Sequence, residues 1–310
     1  MRVSKNAVRA CLAGGIAAAC LALMPVLALA QSWLPEQGSA SFSMAYSGTL
    51  NKKHYDSEGT EGDFGHTRSE IWTIGGSYSP TDKVMLEASI PYVNARYKGD
   101  FPHPPALAGD IDDGTWHGYL TDLLVTAHYQ VSQGPIAFAP YVGLVVPLQD
   151  YPTLGHSAPG RGLNETWLGF YTATSLNQWI PRTYVELRGN YAWVEKLVDI
   201  SHDRTNATLE VGYYFNPAVS ARLFWARQWT HGGIDLPYTP DKPNFATIFP
   251  HHDQLADDEF INVGGGFSWM MNERIELFGL YTESIAGWNS HKVDQRVTLG
   301  MSYGTGHPRH

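Results

Sequence analysis

Histidine beside acid is the first arrangement in this chain that could do chemistry. His251-His252-Asp253 stands near Asp257 and Asp258, and Asp110, Asp112 and Asp113 stand near His117. Imidazole together with carboxylate is a donor set for a divalent cation. Neither spacing matches a fixed metal template, so a solvated loop is the expected state. No metal or other cofactor is assigned, and His251, His252 and Asp253 are kept as the place where a cation would bind. A serine nucleophile would need a histidine within hydrogen-bond reach and a third group to orient it. His156-Ser157 and Ser290-His291 are the adjacent pairs, but no G-x-S-x-G is present and neighbours on a strand point to opposite faces. No catalytic residue is assigned, and the chain is expected not to be an enzyme.

The second arrangement is charge in the middle of alternating segments. Glu87, Asp122, His128, Glu186, Arg188, Glu210, Arg222, Glu276, Asp294 and Arg296 each fall on the polar side of a two-residue alternation or at its end. Val185, Leu187, Tyr191 and Trp193 oppose Glu186, Arg188 and Asn190; Ala207, Leu209, Val211, Tyr213 and Phe215 oppose Asn206, Thr208 and Glu210. The pattern starts at Gly38, where Phe42, Met44 and Tyr46 alternate with serines, and runs to Tyr303. A period of two marks strands with one apolar and one wet face, and about twelve such strands are expected.

The elements that position these charges are joined by connections that alternate in length. Ser79–Asp82, Ser132–Pro135, Asn177–Pro181, Asn216-Pro217 and Met271-Asn272 are brief and rich in turn formers. Between them lie Asn51–Gly65, Arg96–Gly118, Gln149–Leu163, Lys196–Asp203, His231–Asp258 and the shorter Ile285–Asn289. Aromatic residues gather near strand ends on the apolar faces, as the two membrane interfaces require. The expected fold is therefore all-β: a single transmembrane antiparallel β-barrel with short periplasmic turns and long extracellular loops, spanning residues 31–304, with 305–310 as a short polar tail. A periplasmic β-sandwich would also alternate, but it would not keep charge inside and aromatics at the rims. Pro91, Pro140 and Pro147 each remove a ladder donor, so bulges or strand ends are expected there.

Residues 1–30 fix the compartment. Arg2, Lys5 and Arg9 precede an apolar run that ends in Ala28-Leu29-Ala30, the small-x-small site of a cleaved signal peptide. Cys11 and Cys20 would leave with it, and the run continues ten residues past Cys20, against a lipid anchor there. Cleavage removes three of the 21 basic residues and none of the 30 acidic ones, taking the net charge from −9 to −12. An acidic chain excludes a nucleic-acid partner. The expected partners are membrane lipid, lipopolysaccharide and a small-molecule solute, in the bacterial outer membrane.

The stretch Phe138-Ala139-Pro140-Tyr141-Val142-Gly143-Leu144-Val145-Val146-Pro147-Leu148-Gln149-Asp150-Tyr151, the glycine-rich loop after it and Trp167-Leu168-Gly169-Phe170 together resemble the outer-membrane channel family named for the meta-pathway of phenol degradation. Ala88-Ser89-Ile90-Pro91-Tyr92-Val93 and the closing Val297-Thr298-Leu299-Gly300-Met301-Ser302-Tyr303 fit the same pattern. Gln149 stands where that family shows glycine. The resemblance implies a barrel for passive uptake or efflux of small, often aromatic or hydrophobic, compounds, and brings no catalytic residues. The alternative is a non-transporting barrel acting as scaffold or adhesin through its outer loops.

Twelve strands would enclose a narrow, partly occupied lumen. Glu87, Glu186, Glu210 and Arg222 lie about five residues from a short turn and are expected at one height in its periplasmic half. There they would form either a constriction that orients polar solutes or a salt-bridge network that stiffens the barrel. The loop His231–Asp258 is more apolar than a solvated loop needs. Tyr238, Phe245, Ile248 and Phe249 would either form a capture site at the mouth or pack on neighbouring loops.

Overall fold

The computed structural model describes residues 32–100, 102–103 and 110–305. The segment expected to be a signal peptide, residues 1–30, and most of the expected tail lie outside the described residues. Twelve strands form one closed antiparallel barrel. They are β1 (Ala40–Asn51), β2 (His66–Thr81), β3 (Val84–Lys98), β4 (His117–Leu120 continued by Asp122–Tyr129), β5 (Ile136–Pro147) and β6 (Glu165–Ser175). The second half is β7 (Thr183–Val194), β8 (His202–Asn216), β9 (Val219–Gly232), β10 (Glu259–Met270), β11 (Ile275–Trp288) and β12 (Gln295–Gly304). Each pairs with its neighbours in sequence, and β1 closes the ring against β12 from Ser41↔Gly304 to Leu50↔Gln295.

Side-chain alternation decides which face is which. On β8 and β9, Leu209, Val211 and Leu223 are exposed, Leu223 by 71%, whereas Arg204, Glu210 and Gln228 are buried. Apolar side chains that face outward from a closed barrel, with polar ones enclosed, suit a wall set in hydrocarbon. Tyr46, Trp72 and Tyr92 sit at one height on three adjacent strands, in register at Tyr46↔Trp72 and Trp72↔Tyr92. The Tyr46 and Trp72 rings are 5.0 Å apart. On the loop side Arg96 lies over Trp116 at 4.6 Å and Arg227 over Trp229 at 4.7 Å, so charge and ring meet where the wall enters the headgroup layer.

The three prolines fall at irregularities. β3 pairs with β4 as Ser89↔Leu124 on one side of Pro91 and Tyr92↔Leu120 on the other, so β4 carries an extra residue opposite Pro91. The Thr121 N–H donates to the Pro91 carbonyl at 3.0 Å across that bulge. Pro140 lies where β5 leaves its last β4 pair, His128↔Tyr141, and picks up Ser132↔Phe138 one step out of phase. Pro147 ends β5. A missing N–H is harmless at each of these points because the partner strand has already moved away.

Five brief turns join the strands at one end, and loops spanning 52–65, 99–116, 148–164, 195–201, 233–258 and 289–294 join them at the other. Lys53–Tyr55, Glu61–Gly62 and His291–Lys292 form a small separate sheet among the loops. The final loop begins after Trp288, so the segment expected as Ile285–Asn289 is still strand over its first four residues. Ile234, Ile248 and Leu255 form a buried cluster under Leu197, Val198 and Ile200, so loops 195–201 and 233–258 pack on each other.

Candidate functional site

The lumen is filled from both ends. At the turn end the chain ahead of β1 runs inside the barrel. Ser32 and Leu34 are fully buried, with Leu34 against Met85 and Ala139 of the inner wall. The Ser32 N–H and hydroxyl donate to Glu186 at 3.3 and 2.9 Å. Gln130 holds the same segment from the other side: its Oε1 accepts from Leu34 N at 2.7 Å and its Nε2 donates to Ser32 O at 2.8 Å. A polar inner wall and a polar backbone satisfy each other here, which suits burial of an irregular segment.

Glu186 stands directly opposite Glu210 in the β7–β8 register. Glu210 accepts from the Tyr184 hydroxyl at 2.7 Å and has the Arg222 guanidinium 3.9 Å away. Glu276 accepts from Ser302 Oγ at 3.3 Å. Higher in the barrel the Arg296 Nε donates to Thr49 Oγ1 at 2.9 Å. His128 lies under Tyr141 and Tyr171, with ring centroids 5.0 and 5.5 Å away, and its Nε2 is 3.8 Å from Glu87. Asp122, set at the bulge in β4, accepts from the Tyr151 hydroxyl at 2.5 Å. Arg188 is half-buried on the inner side of β7. Asp294 is different: it lies just ahead of β12 and its carboxylate accepts from Lys52 N in the first loop.

Of the inner rings, sequence reasoning placed only the His128 imidazole inside, yet the inner wall also carries Tyr141, Tyr171, Tyr184, Phe224 and Phe278. Four of them, Tyr141, Tyr184, Phe224 and Phe278, lie against a glycine of the neighbouring strand. A Cβ on Gly169 would come within 2.4 Å of the Tyr141 ring, and one on Gly300 within 2.2 Å of Phe278. The available signal was parity: Tyr141 falls between Val142 and the outward-facing Phe138 of the same strand, on the opposite phase from Val142, Leu144 and Val146.

The mouth is closed by loop 148–164, whose His156, Ser157, Ala158 and Arg161 are buried. Arg161 pairs with Asp258 at 2.5 Å, and Arg204 pairs with Glu165 just below. These two ion pairs were not foreseen, because a glycine-rich loop gives no sign that it turns inward. The Ser157 hydroxyl donates to Ile111 O at 2.6 Å and lies 2.9 Å from Asp112 Oδ1, and the Ser290 hydroxyl donates to Glu259 O at 2.9 Å, so both serines are engaged in holding loops.

In loop 233–258, Tyr238, Phe245, Phe249 and His252 stack in sequence, with centroid separations of 6.3, 4.7 and 4.5 Å. Ile248 is not beside them on the outside. It points into the loop core with Ile234 and Leu255. Of the three residues kept for a cation, His252 and Asp253 are buried beside His103 and Asp112, whereas His251 turns aside to Gln254 at 3.1 Å. Asp113 and His117 form a separate surface pair at 3.0 Å. Burial pushes the Asp112 carboxyl up, but hydrogen bonds and charge from His103 and His156 prevail and hold it well below the usual carboxylate range.

The fold can be compared with known proteins. No protein-family model matches the chain, and no curated protein matches its sequence. Among solved structures, the COG4313 outer membrane channel from Pseudomonas putida F1 superposes with a TM-score of 0.69 at 16% identity, covering 90% of this chain and all of that one. The β domain of the Bordetella autotransporter BrkA reaches 0.50 at 10% identity, covering 86% and 99%. The P. putida toluene transporter TodX reaches 0.43 at 12% identity, covering 90% and 92%. The class defined by fold and surface is thus the bacterial outer-membrane β-barrel.

Proposed function

We propose that this barrel is a passive outer-membrane channel for small aromatic or hydrophobic compounds. The observation that carries the reading is the inner wall itself. Rings of Tyr141, Tyr171 and His128 lie beside Glu87, and the Tyr184–Glu210–Arg222 group lies nearby, giving an apolar flank and a charged flank along one passage. A planar solute with one polar group would meet both, with stacking at about 0.5–1.5 kcal/mol per ring pair. The match of the whole barrel to an outer-membrane channel and the resemblance carried by residues 138–151 support the same reading.

The mixed charges act as a latch as well as a lining, because Glu186 spends its carboxylate on the Ser32–Leu34 segment. Passage requires that segment and loop 148–164 to move. The outer loops spend their side chains on one another and on the lumen, which favours gating over presentation to a partner surface. The outward wall meets membrane lipid and, in the outer leaflet, lipopolysaccharide.

The test is uptake into liposomes carrying the purified barrel, comparing benzoate with a non-aromatic acid of similar size. Tyr171→Ala should lower benzoate uptake relative to the non-aromatic acid. An unchanged ratio would reject the aromatic preference, and absence of any conductance in planar bilayers would reject the channel.

A further inference from the structure

The loops over the mouth converge on a cluster of buried imidazoles and carboxylates contributed by five of the six long connections. His54 comes from loop 52–65, His103 and Asp112 from 99–116, His156 from 148–164, His252 and Asp253 from 233–258, and His291 from 289–294. Within it, His103 Nε2 and His252 Nε2 are 3.2 Å apart. Asp253 Oδ2 lies 3.6 Å from the first and Asp253 Oδ1 3.5 Å from the second. The side chains are 4%, 1% and 1% exposed.

The opposite nitrogens of the two rings fix their protonation. His252 Nδ1 faces the Phe249 carbonyl at 2.6 Å, which can only accept. His103 Nδ1 faces Asp112 Oδ2 at 3.0 Å. That carboxylate also receives the backbone N–H groups of His103, His156 and Ser157, three donors independent of the ring, so it too only accepts. Both Nδ1 atoms therefore carry hydrogen, and in neutral rings both Nε2 lone pairs point at each other and at an anionic Asp253. Two ring nitrogens and a carboxylate buried together in this way need a cation among them.

The spacing says which kind. Four ligands around zinc at about 2.0–2.1 Å stand about 3.3–3.4 Å from one another, close to the 3.2 Å between the two nitrogens and to the 3.6 and 3.5 Å from them to the two Asp253 oxygens. Ring nitrogens with one carboxylate favour zinc and its first-row neighbours over calcium or magnesium, which take oxygen. Imidazoles that donate their outer N–H to a carboxylate or carbonyl are the usual supporting shell of such ions. Beside this trio, His54 Nε2 and His291 Nε2 face each other at 3.3 Å with His156 in reach, a second set of the same chemistry.

We propose that His103, His252 and Asp253 bind a zinc-type divalent ion that staples loops 99–116 and 233–258 across the mouth of the barrel. The inference does not depend on what the channel carries. It is tested on the full-length barrel, purified in detergent, stripped with EDTA and reloaded with zinc, cobalt or calcium. The expected result is about one or two tightly held zinc ions per barrel by elemental analysis, no retained calcium, and intense visible absorption from cobalt in tetrahedral nitrogen–oxygen coordination. His252→Ala should lose at least one zinc equivalent and the cobalt absorption belonging to it, whereas the neighbouring His251→Ala should keep both. Heat-shifted mobility in SDS gels shows that each variant still forms its barrel. If the stripped barrel takes up no zinc, or if His252→Ala and His251→Ala hold equal metal with the same cobalt spectrum, the proposal fails, and a proton shared between the rings accounts for their approach.

Discussion

Asp112 joins the backbone of loop 99–116 to that of loop 148–164 and orients the His103 ring. Asp112→Asn keeps the shape but removes the charge and turns an amide NH2, a donor, toward groups that are themselves donors. It should weaken zinc binding by about 10–100-fold, the usual cost of removing a supporting carboxylate, as read by competition with a fluorescent chelator. At the other end of the lumen, Glu186→Ala removes two hydrogen bonds to a charged acceptor, at roughly 1.5–3 kcal/mol each. Planar-bilayer recordings should show higher mean conductance, and a fall would mean that Glu186 does not latch the Ser32–Leu34 segment. Arg222→Ala leaves Glu210 beside Glu186 without its nearby guanidinium, so ion preference should move toward cations.

At the scale of elements, strand pattern was legible and loop fate was not. Alternation such as Leu209–Glu210–Val211 is written locally, since each residue's face follows from its neighbour's. Turn residues at Asn216-Pro217 and the prolines at 91, 140 and 147 were equally readable, because each acts on its own backbone. The histidine cluster was invisible by the same logic. His54, His103, His156, His252 and His291 lie on five loops, and only closure of the barrel makes them neighbours. The inward rings were hidden in plain alternation, and their space depends on glycine in the next strand. Gly169→Ala should therefore push Tyr141 into the passage and reduce conductance, while circular dichroism stays that of an intact barrel. In the small outer sheet, Glu61 is clamped between Lys53 and Lys292, both at 2.5 Å. Hydrogen bonds from Lys292 and then Lys53 lower its pKa, so the clamp is complete at neutral pH and lost as pH falls through that lowered value. Exposed pairs contribute only about 0–1 kcal/mol. Glu61→Gln should accelerate tryptic cleavage after Lys53 by no more than about five-fold.

The whole molecule is a wall with a stopper at each end, and the inner stopper, Ser32–Leu34, sits close to its anchor. Gln37 is pinned to the turn between β2 and β3 by its N–H to Asp82 at 3.0 Å and its Nε2 to Pro80 O at 3.2 Å. Leu34 lies three residues before that pin, so a released stopper can travel only about 10 Å, given the reach of an extended chain. It hangs at the opening on a leash, and its local concentration there is of the order of millimolar or above. Reclosure is then a first-order event that needs no partner and does not slow on dilution. Single-channel traces should show brief openings whose durations are independent of protein concentration. The described residues contain no cysteine, so Leu34→Cys with Ala139→Cys gives a clean lock: oxidation should abolish the flicker, and a thiol reductant should restore it.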